Sequence, residues 1–354
     1  MSKINIVPVF VPHYGCPNDC IFCNQRKITN QDYIKDFDET RKSIEEYLSY
    51  FSNREKTTQI AFYGGSFTGL PKDVMEEFLK IGKSYIDEGK VDSLRLSTRP
   101  DYIDNEILST LEKYGVKTIE LGVQSMVDEV LIANRRNHLS EIVKTSASLI
   151  KTRGFDLGLQ QMLGLYKSNK ERDIYTTDEF LKLEPDFVRI YPTLVIRDSF
   201  LEDLYNSGNY EPYSLEETIK VTKILFCMYY SSEIEIIRIG LQPTDNITLG
   251  KDVIAGPFHP SIRQLVLQSL YRDFMLQELQ DFYKKAVTIY VNDSQINYLV
   301  GNKGANRENL IKKFKIPSLK FKSSENKKIY VESDNLNKEL DFDVFLRNYI
   351  ERLR

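Results

Sequence analysis

The chain has 354 residues, 41% of them apolar and 28% charged, with a formal net charge of -3. That is the composition of a soluble globular protein, long enough for one large domain and a small one. No apolar run approaches the roughly 20 residues a membrane helix needs, and "MSKINIVPVF" lacks the basic start, apolar stretch and small-residue cleavage site of a secretory signal, so a cytoplasmic protein with no membrane partner is expected.

Short β-rich runs alternate with helical patterns up to about residue 240, the pattern of repeated βα units around a parallel sheet. Strands are expected at 4–11, 59–63, 93–98, 118–123, 157–162 and 187–191. Amphipathic stretches lie between them, among them "DETRKSIEEYLSYF", "PKDVMEEFLKIGKSYI", "DNEILSTLEKYG" and "SEIVKTSASLIKTRG". The last two close on a glycine suited to a helix C-cap. With "SLEETIKVTKILFCMYY" as the last large helix, six units fit, fewer than the eight of a closed TIM barrel. The expected fold is therefore α/β, a partial (open) TIM-type βα barrel of about six units over residues 1–283. A strand-like piece, "IEIIRIGL", and a long helix beginning "SIRQLVLQSLYRDF" complete it.

A small α+β module is expected over residues 284–354. "AVTIYV" reads as a strand, "DSQINYLV" as a short helix, "GNKG" as a tight turn and "ANRENLIKKF" as a second helix. "SLKFK" and "KIYVES" are expected to form a hairpin, with "DFDVFLRNYIERLR" as the closing helix. Charge divides at the same place. Residues 301–331 hold nine Lys and Arg against two Asp and Glu, a basic island on an acidic protein that suits either a solvated face or a polyanion partner.

Three of the four cysteines, Cys16, Cys20 and Cys23, lie in "GCPNDCIFC" just after the first expected strand. Four cysteines, three of them within eight positions, are too few and too clustered for a disulfide framework. In the spacing C-x3-C-x2-C, three thiolates can hold three corners of a [4Fe-4S] cluster and leave the fourth iron open. The same loop suits a structural zinc completed by His13, or three buried free thiols.

The loop and its context resemble the radical SAM superfamily: the spacing, Phe22 immediately before the last cysteine, and a second strand ending in "FYGGSF". "STRPDYI", "ELGVQSMVDEVL", "NRRNH" and "RIYPTLVIRDSFLEDLYNSGNYEPYSLEE" resemble the Elongator catalytic subunit branch over roughly residues 4–240. The resemblance implies a [4Fe-4S] cluster on Cys16, Cys20 and Cys23 that reductively cleaves S-adenosylmethionine (SAM) to a 5'-deoxyadenosyl radical. An electron donor such as flavodoxin or ferredoxin follows from it. Gly64 and Gly65 would let the amino-acid end of SAM approach the backbone, and Phe22, Arg99, Glu120 and Gln124 are the further SAM-pocket residues it implies. Where relatives have Glu before "TRPD", this chain has Ser97. The acetyltransferase domain of the Elongator subunit has no room here, so acetyl-CoA is not expected as a substrate.

Tyr191, Arg197, Arg238 and Gln242 fall at or beyond late strand ends, where barrel sites are built. His259, in "AGPFHPSIRQLV", is a loop residue suited to proton transfer or to a structural hydrogen bond. Tyr191, Arg197 and His259 are the candidate catalytic residues. Cys227 lies within an apolar helical face and is expected to be core.

The order strand, helix, G-x-x-G, helix, strand, strand, helix resembles a KH domain that binds single-stranded RNA. Two glycines bring the loop backbone against a nucleic-acid backbone, and lysine supplies charge. Gly301, Asn302, Lys303, Gly304 and Arg307 are the RNA contacts this implies. A radical SAM enzyme that modifies RNA (tRNA or rRNA) is the favoured expectation, probed against an enzyme of small metabolites and an RNA-binding protein with a structural cluster.

Overall fold

The computed structural model describes residues 4–11, 20–24, 36–51, 56–241, 247–326 and 328–351. Six strands, β1 (Asn5–Val11), β2 (Thr58–Gly64), β3 (Ser93–Thr98), β4 (Val116–Gln124), β5 (Asp156–Leu163) and β6 (Phe187–Pro192), lie side by side in chain order. A short β7 (Val195–Ile196) leaves the sheet, and β8 (Glu235–Ile239) joins it next to β6 as the seventh strand. All neighbours are parallel. The order never reverses, and the sheet curls into an open half-barrel. The six expected strands and the strand-like seventh piece account for it. What the sequence did not announce is the small antiparallel pair of β7 with β9 (Val253–Ala255).

Alternation along the strands explains both faces. Leu94 and Leu96 on β3, Ile119, Leu121 and Val123 on β4, and Val188 and Ile190 on β6 are fully buried. Each such side chain contributes about 1.5–3 kcal/mol. The intervening residues, Arg95, Ser97, Glu120, Gln124, Gln160, Arg189 and Tyr191, share the opposite face, because successive side chains point to opposite sides of a strand. The crossovers are α1 (Phe37–Ser49), α2 (Lys72–Asp87), α3 (Asn105–Lys113), α4 (Asp128–Ala133), α5 (Ser140–Thr152), α6 (Lys170–Leu183) and α7 (Phe200–Asn206). They begin where caps allow: the side chains of Asp36 and Asp104 accept first-turn N–H groups of α1 and α3. Helix α2 buries Val74, Met75, Phe78, Leu79, Ile81 and Tyr85.

Residues 214–233 and 259–354 form a second compact unit. It contains α8 (Leu215–Ser231), started by a Ser214–Glu217 capping box, and α9 (Ile262–Glu278). After them come β10 (Val287–Val291), α10 (Asp293–Val300), α11 (Ala305–Phe314), β11 (Leu319–Ser323), β12 (Ile329–Ser333), β13 (Leu336–Leu340) and α12 (Phe342–Asn348). The expected β11–β12 hairpin does not form. The sheet order is β11-β10-β12-β13, with β11 parallel to β10 and β12 antiparallel to it. The hairpin is instead β12–β13. Its second strand, "LNKEL", was unreadable because an edge strand with a half-exposed face carries little apolar periodicity. Among the described residues, no helix is long and apolar enough to cross a membrane.

Candidate functional site

At the carboxyl ends of β2, β3 and β4 a pocket of about 130 Å³ is lined by Cys20, Phe22, Cys23, Gly64, Gly65, Ser97, Arg99 and Gln124, with Ser66, Thr98, Gly122, Arg136 and Gln160. Cys20 and Cys23 face it from a tight turn in which the Cys23 N–H donates to the Cys20 carbonyl (3.0 Å). Between them, Ile21 is the anchor. Its N–H donates to the Asn134 carbonyl (3.4 Å) and its carbonyl accepts from the Leu201 N–H (2.7 Å). Its side chain is buried with Val195, Leu201 and Tyr210, and Phe22 packs on the same cluster. Asn24 then donates to the carbonyls of Arg197 (3.1 Å) and Asp198 (3.4 Å).

Two guanidinium groups approach the Cys20 sulfur. Arg136 Nη1 donates to it at 3.2 Å and Arg99 Nη1 lies at 3.8 Å. Arg136 also donates to the Gly122 carbonyl. Arg99 donates twice to the Asp101 carboxylate, both at 2.9 Å, and to the Arg136 carbonyl, which joins the two arginines. Burial, and then the Arg136 charge, push the neighbouring His138 imidazole down to about 4, so it is neutral at pH 7.

Gly64 has φ of +118°, and a Cβ there would lie 2.7 Å from the Val11 carbonyl oxygen. Only glycine fits. Gln124 has φ of +76°, a conformation that costs a non-glycine residue about 1–3 kcal/mol. Among the described residues, its buried Oε1 has no hydrogen-bond partner. An orphaned acceptor on a strained backbone at the pocket wall suits a ligand that donates a hydrogen bond.

Glu120 is fully buried and does not line the pocket. Arg95 donates to its Oε1 (2.7 Å), and Arg189 donates to both carboxylate oxygens (2.5 and 3.1 Å). Burial alone would raise its pKa, but Arg189 and Arg95 overcome it and hold the carboxyl below the usual range. Breaking such a buried pair on one side costs about 3–5 kcal/mol. Ser97 is reached by Gln160 Nε2 at 3.4 Å, and the same amide lies 3.4 Å from Glu120.

The three candidate catalytic residues lie outside this pocket. Tyr191 is half-buried on the polar face beside Arg189, and burial pushes its hydroxyl up. Arg197 is exposed and donates twice to the Lys251 carbonyl (3.2 and 2.9 Å), bracing the β7–β9 pair. In the second unit, His259 Nδ1 accepts from the Ser261 N–H (3.1 Å) at the start of α9. Arg238 Nε donates to the Gly240 carbonyl (3.0 Å). Cys16, His13 and Gln242 lie outside the described residues. Cys227 is fully buried, and burial pushes its thiol up to about 12.

After β5, Asp173 of α6 is buried with its carboxylate accepting from the Gly164 N–H (3.0 Å), the Ser168 hydroxyl (2.7 Å) and the Tyr213 hydroxyl (3.0 Å). Burial outweighs these bonds and pushes its pKa up to about 7.

In the second unit, Gly301 has φ of +78°, and a Cβ there would lie 2.7 Å from the Asn306 nitrogen. Asn302 and Lys303 are exposed at the tip of the turn. Arg307 is exposed on α11 and its Nε donates to the Leu319 carbonyl (3.3 Å).

The model of the Radical SAM superfamily matches residues 10–181, and that of the Radical SAM C-terminal domain matches residues 185–272. Human Elongator complex protein 3 is 28% identical over 270 residues, 63% of this chain and 49% of that protein. The tRNA uridine(34) acetyltransferase of Methanocaldococcus infernus is 27% identical over 264 residues, 62% of this chain and 49% of that protein. The chain thus spans about half the length of the curated relatives it matches. Among solved structures, the archaeal Methanocaldococcus infernus Elp3 with an N-terminal deletion superposes with a TM-score of 0.59 at 22% identity, over 78% of this chain and 64% of that one. This is a likeness of fold.

Proposed function

We propose that this chain, which belongs to the radical SAM superfamily of enzymes, modifies an RNA, tRNA or rRNA, in the cytoplasm. The observation that carries the reading is the pocket at the sheet's carboxyl end, where Cys20, Cys23, the glycine pair and the Gln124 amide oxygen, unpartnered among the described residues, meet.

The donor set fits the implied cofactors. Thiolates are the ligands iron–sulfur clusters take, and Cys16, Cys20 and Cys23 would hold the iron. When bound, a [4Fe-4S] cluster and SAM supply one-electron cleavage of the sulfonium and hydrogen-atom abstraction, the electron coming from a donor such as flavodoxin or ferredoxin. The chain's own residues do the rest. Arg136 and Arg99 set cations against the Cys20 sulfur, which favours anionic ligands there. Gly64 and Gly65 leave backbone at the wall where the amino-acid end of SAM would lie, and Gln124 Oε1 would accept from its ammonium. Phe22 closes the pocket beside Cys23. Glu120, tied to Arg95 and Arg189, fixes three strands beneath. Tyr191, Arg197 and His259, expected as catalytic residues, do not line the pocket, and we assign them no step.

RNA as substrate is supported by the name of a relative that acts on a tRNA uridine and by the basic module 284–354. In that module, which we take as a KH-like domain, Gly301, Asn302, Lys303, Gly304 and Arg307 would meet the RNA backbone. The parallel β10–β11 pair is a feature that the expected hairpin did not include. Mass spectrometry of RNA nucleosides from cells with and without the gene tests the reading: one modified nucleoside should vanish. An unchanged nucleoside profile, with a small metabolite accumulating instead, overturns it.

A further inference from the structure

The G-x-x-G turn is docked on α9. Its Asn302 N–H donates to Gln268 Oε1 (3.1 Å), and Asn306 Nδ2 donates to the Gln268 carbonyl (2.8 Å). Gln268 is itself buried, so α9 fixes where the turn stands. Beside the turn, a groove of about 320 Å³ is lined by Lys220 and Lys223 of α8, Ser269 and Arg272 of α9, and Asn302 of the turn.

The charges in the groove do not cancel. Lys220 pairs with Glu216 (2.7 Å), which also lines it. Asp273 is shared by Lys223 (2.5 Å), Arg272 (3.4 Å) and the Tyr349 hydroxyl (3.0 Å). Among the described residues, three cations line the groove against the Glu216 carboxylate, with Asp273 paired to two of them. The Lys220 and Arg272 side chains are 65% and 42% exposed, and exposed pairs of this kind are worth at most about 1 kcal/mol. Their heads are available to a stronger anion. A guanidinium and an ammonium across a groove of this volume suit a nucleotide's phosphate, which arginine can take through two oxygens.

We infer that this groove binds a phosphodiester of the RNA strand gripped by the adjacent turn, with Lys220 and Arg272 as the principal contacts. The inference rests on the reading that the turn meets RNA. It enlarges the binding surface: α8 and α9 precede residue 284, so the RNA-binding unit is residues 214–233 with 259–354 and not the terminal module alone.

The test uses the full chain and a single-stranded oligoribonucleotide, with affinity measured across a salt series. Lys220→Glu with Arg272→Glu is compared with Asn302→Asp with Lys303→Asp. Both pairs should bind more weakly. Loss of the one phosphate neutralised in the groove should make the slope of log K against log salt shallower by about 0.7. Affinity and slope unchanged in the groove variant, with loss in the turn variant, overturn the groove and leave the turn. Unchanged binding in both overturns the RNA reading and the groove with it. Should charge reversal unfold the chain, Lys220→Gln with Arg272→Gln carries the same test, with the same slope change expected.

Discussion

Arg136 Nη1 lies 3.2 Å from Cys20 Sγ while the same guanidinium holds the Gly122 carbonyl of β4. One side chain thus ties the cysteine loop to a strand end. Arg136→Met keeps much of the volume and removes both bonds. Leaving the Gly122 carbonyl without its donor should cost about 1–3 kcal/mol, and reconstituted protein should release iron to a chelator faster than the parent. Equal release rates would reduce Arg136 to packing.

Anaerobic reconstitution separates the cysteines. Cys16→Ala, Cys20→Ala and Cys23→Ala should each abolish iron–sulfur absorbance and SAM cleavage. Cys227→Ala should keep both, since that thiol is fully buried and protonated. An alkylating reagent should reach Cys227 only after unfolding. Stoichiometric zinc, with no iron-dependent absorbance in protein purified without air, would show the loop to be a zinc site.

The glycine pair divides into a backbone role and a space role. Gly64→Ala forces a side chain into φ of +118° and against the Val11 carbonyl; strain alone costs about 1–3 kcal/mol, visible as a lower Tm. Gly65→Val fills the pocket that Gly65 lines. SAM affinity, read by equilibrium dialysis, should fall with iron content unchanged. Full affinity in that variant would assign the second glycine to the turn alone.

Asp173 sets a pH signature. Its folded pKa, about 7, lies above its ordinary 3.8, so between those values the native state holds a proton that the unfolded state has lost. Stability contributed by this group is therefore full below the lower value and declines as pH rises through the upper. The whole decline is on the order of 4 kcal/mol. Asp173→Asn, which can still accept from the Gly164 N–H, should flatten the urea-midpoint profile between about pH 4 and about pH 8. A wild-type slope in that variant would place the titration elsewhere.

Much of this was legible because period and spacing are local properties. The alternation of Leu94, Leu96, Ile119, Leu121, Val188 and Ile190 marks the strands, and C-x3-C-x2-C marks the loop. Arg136 was not legible as a site residue. It stands in "NRRNH", and nothing in a run of polar loop residues says which one turns inward. Glu120 was legible as a position, but its partners Arg95 and Arg189 are 25 and 69 residues away, and only strand order brings them together. The β11–β12 hairpin failed for a related reason. Short β-rich runs in succession suggest a hairpin, whereas the α10–α11 crossover lays β11 parallel to β10.

Ile21 has an implication for how the protein is made. Its two backbone partners, Asn134 and Leu201, have not been synthesised when the cysteines emerge from the ribosome. At ~5–20 residues per second, Leu201 follows on the order of 10–40 s later. Throughout that interval the turn that carries Cys20 and Cys23 is without its bond to Leu201, and its thiols are open to any metal or oxidant in the compartment. The last backbone anchor of the turn thus arrives with a residue 180 positions downstream of Ile21, and slowing translation before Leu201 should lengthen the period in which the wrong metal can be captured.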